Sequence, residues 1–263
     1  MTFSKDNKNT KVRKVILKAL SALFWIALWA LAAMTIGKEL IVPSPFVVVK
    51  RLCVLVTEPE FWIKTGVSLL RILSGFVLGT LFGVVLAVLS SLSDVPEAVI
   101  TPFIRVIRAT PVASFIILVM LWIPYTYVPV FTSGLTVAPI VYMNVYEGIR
   151  EADKELLEVA RVFGFGKVKT VFKVYVPLVK PYFISAAVTA LGLAWKAGIA
   201  ADVLCLPKKS IGSEIYYSKI YLETPDLFAW TIVVVLFSFI LEKLFSRFVK
   251  KKKKEKAEGD KQD

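Results

Sequence analysis

The chain has 263 residues, is 57% hydrophobic and carries a formal net charge of +13. Soluble domains are about 45–50% apolar, which excludes an ordinary soluble enzyme and a disordered basic protein. A nucleic-acid reader is argued against as well, because the lysines do not gather on one soluble face.

A helix needs about 20 apolar residues to cross hydrocarbon, and six runs approach that length. Segment 1–14 is basic, with Lys5, Lys8, Lys11, Arg13 and Lys14, and reads as a cytoplasmic N-terminus. The first run, 15–36, is longer than the roughly 7–15 residues of a signal-peptide core. It is expected to remain as an anchor despite the cleavable-looking Ala30-Leu31-Ala32. The second run, 66–92, contains Arg71 and a stripe of Gly75, Gly79 and Gly83. Small residues at that spacing let another helix approach closely. The third, 109–123, is short, has Pro111 near its start, and can begin earlier through 99–107 despite Arg105 and Arg108. The fourth is 128–148, the fifth is 181–206 with Lys196 near its middle, and the sixth is 227–248. The tail, 250–263, opens on lysines 250–254 and is expected to be a disordered topology signal that can also meet anionic lipid.

The predicted fold class is all-α, a polytopic membrane helix bundle of about six transmembrane helices. Its transmembrane domain would be 15–249, with an internal loop at 150–180. Basic residues set the orientation. With the N-terminus inside, 24 of the 33 Lys and Arg residues fall on the cytoplasmic side and only 7 outside. Both termini are therefore expected in the cytoplasm. Arg71 and Lys196 are costly in hydrocarbon and become candidates for a polar pathway or an internal pair. For Arg71, near the end of its span, snorkelling is the competing reading.

Loop 150–180 is long enough to need structure of its own. Leu156, Leu157, Ala160 and Phe163 share one face of a helical period, with Lys154, Glu158 and Arg161 opposite. Gly164 and Gly166 interrupt it. A second amphipathic stretch, 167–176, is expected to end at Pro177, before the fifth span. A pair of helices lying on lipid would explain the basic flanks. It would not explain Glu151, Asp153, Glu155 and Glu158 next to an anionic surface, so the loop points to a protein partner.

A membrane enzyme fits poorly, since the polar candidates Ser185, Lys196 and Asp202 are scattered. The chain has no histidine, and its two cysteines, Cys53 and Cys205, form no CxxC. Zinc, haem and Ser-His-Asp chemistry are thus not supported. A channel or secondary transporter would not need the structured loop, and inverted halves are not evident.

The loop resembles the EAA loop of permease subunits of binding-protein-dependent ABC importers. That pattern is E-A-A, three residues, G, nine residues, then I-x-L-P. Here Glu158-Val159-Ala160 is followed at the same spacings by Gly164 and by Val174-Tyr175-Val176-Pro177. Val42-Pro43-Ser44-Pro45, the glycine stripe and Trp195-Lys196-Ala197-Gly198 are similar to the nitrate/sulfonate/taurine type. The resemblance implies that Glu158, Ala160, Gly164, Val174 and Pro177 belong to a knob docking into a cytoplasmic ATPase. It implies a second permease subunit, as a homodimer or as a heterodimer with a similar subunit, two ATPase subunits, an extracytoplasmic solute-binding protein, membrane lipid, and no nucleic acid. No GxxxxGK[ST] is present, so ATP and Mg are expected on the partner ATPase and no cofactor on this chain. The implied solutes are small anions such as sulfonates or nitrate, with other small organics such as a thiamine precursor as the alternative.

Overall fold

The structure is a computed structural model that describes residues 3–152 and 154–259. Every regular element among the described residues is helical. The chain divides into two compact units, Met1–Phe61 with Glu214–Ile232, and Trp62–Ser213 with Val233–Asp263.

The first unit holds α1 (Phe3–Ile36) and α2 (Pro45–Thr57). It also takes in most of α10 (Ile211–Ile220) and the start of α11 (Thr224–Gly259). Apolar residues of α1 such as Leu23, Phe24 and Trp25 are exposed, as lipid-facing side chains should be. Gly37, at φ +64°, closes α1 by donating its N–H to the Ala33 carbonyl at 3.0 Å. Pro43-Ser44-Pro45 is then a helix entry. The Ser44 hydroxyl accepts the Val47 N–H at 3.4 Å and Pro45 occupies the first turn, where its missing N–H costs nothing. Trp29 Nε1 donates to the Pro43 carbonyl at 3.1 Å, and its ring stacks on Phe228. Arg51 forks onto Asp226 at 2.5 and 2.8 Å. That hydrogen bond raises the guanidinium pKa above its ordinary value, against burial that lowers it.

The second unit holds α3 (Pro59–Leu92) from Trp62 onward, α4 (Asp94–Ala109), α5 (Val112–Val119) and α6 (Val128–Arg150). After α7 (Lys154–Val162) and α8 (Lys167–Thr170), a π-helical turn (Val171–Tyr175) leads into α9 (Val176–Cys205). α6 and α9 form its centre: the Ser133 hydroxyl donates to the Ala194 carbonyl at 3.2 Å. α3 lies on α6 through Gly75, Gly79 and Gly83, whose partners are Val130, Gly134 and Ala138. α11 covers α9, with the buried Trp195 donating to the Val234 carbonyl at 2.9 Å and stacking on Phe237. Gly198 sits so close to Ile72 and Ser133 that a Cβ would lie 2.5 Å from each. Trp195-Lys196-Ala197-Gly198 thus alternates three inward residues with one exposed lysine.

Among the described residues, five helices are long and apolar enough to cross a membrane: Ile16–Ile36, Pro59–Leu92, Val128–Arg150, Lys167–Cys205 and Thr224–Arg247. The expected third span, 109–123, is not one helix. α4 ends at Ala109, α5 covers only Val112–Val119, and the axis turns by 103° between them; counted as one broken span, the pair makes six. The cause is Pro111, which pushes Thr110 into extended backbone (φ −74°, ψ 127°). Pro177 does not end the loop helix either: 39 residues run helical from Lys167 to Cys205. The π turn precedes Pro177, which lies in the first turn of α9, so the ladder absorbs a missing donor there. At the C-terminus α11 continues to Gly259, so the tail expected to be disordered is helical over most of its length. Lys, Glu and Ala favour helix, and the span supplies the nucleus.

Candidate functional site

In the internal loop, α7 ends in a hydrogen-bonded cap. The Phe165 N–H donates to the Ala160 carbonyl at 2.9 Å and the Gly164 N–H to the Arg161 carbonyl at 3.0 Å. This is the Schellman arrangement, which needs a left-handed residue, and Gly164 supplies it at φ +67°. A Cβ on Gly164 would meet nothing within 4 Å. The glycine is therefore required by backbone conformation and not by packing within this chain. Ala160 is 4% exposed and Leu157 half-buried, while Leu156, Val159, Val162 and Phe163 are exposed. The expected single apolar face is thus split: Leu157 and Ala160 turn inward, and Leu156 and Phe163 turn out. Glu158 is exposed, Val174 half-buried in the π turn, and Pro177 exposed. Lys169 Nζ lies 4.1 Å from the Phe165 ring centre, steadying the turn between the two helices.

A cavity of about 400 Å³ opens where α4 and α5 break, walled by those helices and by α6 and α9. Its polar lining is Arg108, Thr110, Thr132, Thr136, Asn144 and Thr189, with no carboxylate among the described residues. Four of these groups already donate to the carbonyl four residues back: Thr110 to Val106, Thr136 to Thr132, Asn144 to Ile140 and Thr189 to Ser185. The break is held in place by α4, where Thr101 bonds the Tyr142 hydroxyl at 2.8 Å and Tyr142 donates to Ser90 at 3.1 Å.

Neither basic residue singled out in the spans lines this cavity. Lys196 is exposed on a stripe of α9 with Ser185, Thr189, Leu193 and Ala200, two of which do line it. Arg71 Nη2 donates to the Lys208 carbonyl at 3.1 Å, and its guanidinium interacts electrostatically with the buried Asp202. The lining residue that sequence reading passed over is Arg108, counted there only as a cytoplasmic topology charge. Its signal was position, two residues before Thr110-Pro111, where a chain that breaks inside an apolar run must leave polar backbone to be served.

Apolar helices of spanning length, with a broken helix beside a cavity and a capped knob in the internal loop, define a multi-pass membrane protein. Residues 79–254 match the inner membrane component of binding-protein-dependent transport systems, and the chain belongs to that family. It is accordingly a permease component of the inner membrane and not a catalyst. The chain is similar to SsuC of Bacillus subtilis (strain 168), named for aliphatic sulfonates transport. They are 26% identical over 227 residues, covering 86% of this chain and 80% of that protein. It is also similar to the bicarbonate transport system permease protein CmpB of Synechococcus elongatus, 28% identical over 199 residues, with 72% and 66% covered. Among solved structures, an amino acid ABC transporter crystallised with histidines superposes with a TM-score of 0.61 at 20% identity, covering 75% of this chain and 94% of that one. This last likeness speaks to the fold alone.

Proposed function

We propose that the chain lines the solute pathway of an importer for small anions, and that loop 150–180 couples this pathway to a separate cytoplasmic ATPase. The carrying observation is mechanical. The knob capped at Gly164 is followed by one helix that runs from Lys167 to Cys205 without a break. A push on Glu158, Ala160 or Gly164 would pass through Val174 and Pro177 into α9, which borders the cavity. The exposed Leu156, Val159, Val162 and Phe163 give the ATPase an apolar surface to grip. In this reading both termini are cytoplasmic, and the chain pairs with a second copy. Two ATPase subunits hold ATP and Mg, and a solute-binding protein delivers from outside. The small-anion class rests on the names of the relatives and on an arginine-lined cavity free of carboxylates. Lys196 faces the pathway as its second positive charge, and Arg71 supports the outer end of the bundle.

Co-purification with the cognate ATPase tests the coupling. Wild type should retain the ATPase, and Gly164→Asp, which puts a side chain on a left-handed residue and strains the cap of the knob, should lose it while circular dichroism still shows the membrane helices. A wild-type chain that binds no ATPase would sink the reading. For Lys196, the expected result is that Lys196→Met lowers uptake by about tenfold or more without changing assembly. Unchanged uptake would remove Lys196 from the pathway.

A further inference from the structure

We infer that α2 is a lipid-embedded surface helix. It lies in the leaflet opposite the N-terminus, with Phe46, Val49, Cys53 and Val56 among the acyl chains and Lys50 at the phosphates. This holds whichever ATPase or solute the chain serves, because it needs only the apolar spans.

α2 has two apolar faces. Val48 and Leu55 are buried, as a helix packed on its own unit requires. Phe46, Val49, Cys53 and Val56 follow one another at spacings of three, four and three, which draws a second stripe along the helix. All four are exposed, Phe46 by 78% and Val49 by 53%. A helix surrounded by water would carry polar residues there. The charges within α2 are both basic, and both lie off the stripe. Arg51 turns to Asp226 and Glu58. Lys50 is exposed about a quarter-turn from the stripe, and its side chain has no hydrogen bond or ion pair to a described residue.

The depth of α2 is set by its anchors. After α1 the chain doubles back along that helix. The Trp29 indole, which bonds the Pro43 carbonyl, lies about 10 Å short of the Ile36 end of α1. The same ring stacks on Phe228, about 6 Å into α11. At its other end α2 passes almost directly into α3, whose Phe61 stacks on Trp230, about 9 Å into α11. Between these two points Arg51 holds Asp226. A helix of 13 residues, about 20 Å long, is therefore pinned at both ends beside the first two turns of a membrane span.

Continuity of the surface names the occupant. Met34 near the end of α1, and Leu40 and Ile41 in the return, are exposed apolar residues, and the stripe of α2 extends them. The surface that receives α1 is lipid, since this helix of spanning length is scarcely buried. A basic helix without a carboxylate suits the phosphates at the rim of that surface, its lysine reaching out along its own apolar stem.

Cys53 is a native reporter. In the full chain carrying Cys205→Ala it is labelled with bimane in detergent, and the protein is moved into nanodiscs of phosphatidylcholine and phosphatidylglycerol. Fluorescence is read against aqueous iodide and against phosphatidylcholine brominated in the upper acyl chain. The reference is Met34→Cys on α1, made with Cys53→Ser and Cys205→Ala. Brominated lipid should quench the two sites equally, and iodide should quench both far less than it quenches free bimane. Lys50→Glu, which sets a carboxylate against the phosphates, should raise iodide quenching at Cys53. Strong iodide quenching without that substitution places the stripe in water and overturns the lipid assignment. A Cys53 that does not label in detergent overturns it as well. Quenching by neither agent means that protein covers the stripe. Disulfide formation between two copies through unlabelled Cys53, under copper phenanthroline, identifies that protein as a second copy. Either result overturns the lipid assignment. An unmoved iodide response in Lys50→Glu removes the lysine from the phosphates.

Discussion

Gly79→Ala is expected to destabilise the bundle by about 3 kcal/mol, and Gly79→Leu to prevent it from assembling. A Cβ at this position would lie 2.2 Å from the Gly134 carbonyl oxygen and 2.7 Å from the Gly134 Cα. Overpacking a core costs about 1–3 kcal/mol when side chains can rotate away. Here the obstacle is backbone, which cannot, so the cost falls at or beyond the top of that range. Gly75 and Gly83 face the same barrier, at 2.2 Å from the Val130 carbonyl and 2.6 Å from the Ala138 carbonyl. Moving α3 away from α6 at one glycine would open the contact at the other two. Gly66 is the internal control, because a Cβ there meets nothing within 4 Å. Gly66→Ala should be neutral or stabilise by about 0.5–1 kcal/mol through helix propensity. Unfolding in mixed detergent, followed by circular dichroism, reads both. Equal midpoints for Gly79→Ala and wild type would refute the close α3–α6 approach.

This glycine stripe shows how far the sequence carries. Four-residue spacing in an apolar run marks a face on which a helix must land, and that face is occupied. It does not say which helix lands there, because Gly134 has no second glycine at four-residue spacing in its run and close approach is a property of two surfaces. The knob was legible because its demands are local: one left-handed residue at a fixed distance past an amphipathic turn is written at Gly164. The third span was poorly legible because proline acts differently by context. At Pro111 the preceding Thr110 goes extended and the axis turns by 103°. At Pro177 a π turn just upstream shifts the ladder register, and the helix passes straight through. Composition and periodicity are the same kind of signal in both places; the difference lies in what the neighbouring helices hold in position. Arg108 was obscured for a related reason. A cation near the end of an apolar run satisfies the topology count whether it faces water or a cavity, and only the fold distinguishes the two.

Ser68→Ala is expected to cost about 3 kcal/mol, more than the removal of one hydroxyl ordinarily would. The Ser68 hydroxyl donates to Asp202 Oδ2 at 2.5 Å and accepts the Ile211 N–H at 3.0 Å. Asp202 is fully buried and its other oxygen, Oδ1, already lacks a hydrogen-bond partner among the described residues. Losing the serine therefore strands a carboxylate and a backbone amide together, at about 1–3 kcal/mol for each group. The same side chain ties α3 to the end of α9 and to the start of α10, while Arg71 reaches the Lys208 carbonyl just beyond. Two features show how tightly this corner is drawn. Leu206 is left-handed at φ 50°, and a Cβ on Gly212 would lie 2.3 Å from the Asp202 carbonyl carbon. Non-additivity is the signature that separates a shared network from independent packing. Asp202→Ala removes the stranded charge, so Ser68→Ala should cost about 1–3 kcal/mol less in that background than in wild type. Simple additivity of the two substitutions, measured by the same unfolding assay, would mean that the serine and the carboxylate do not act as one clamp.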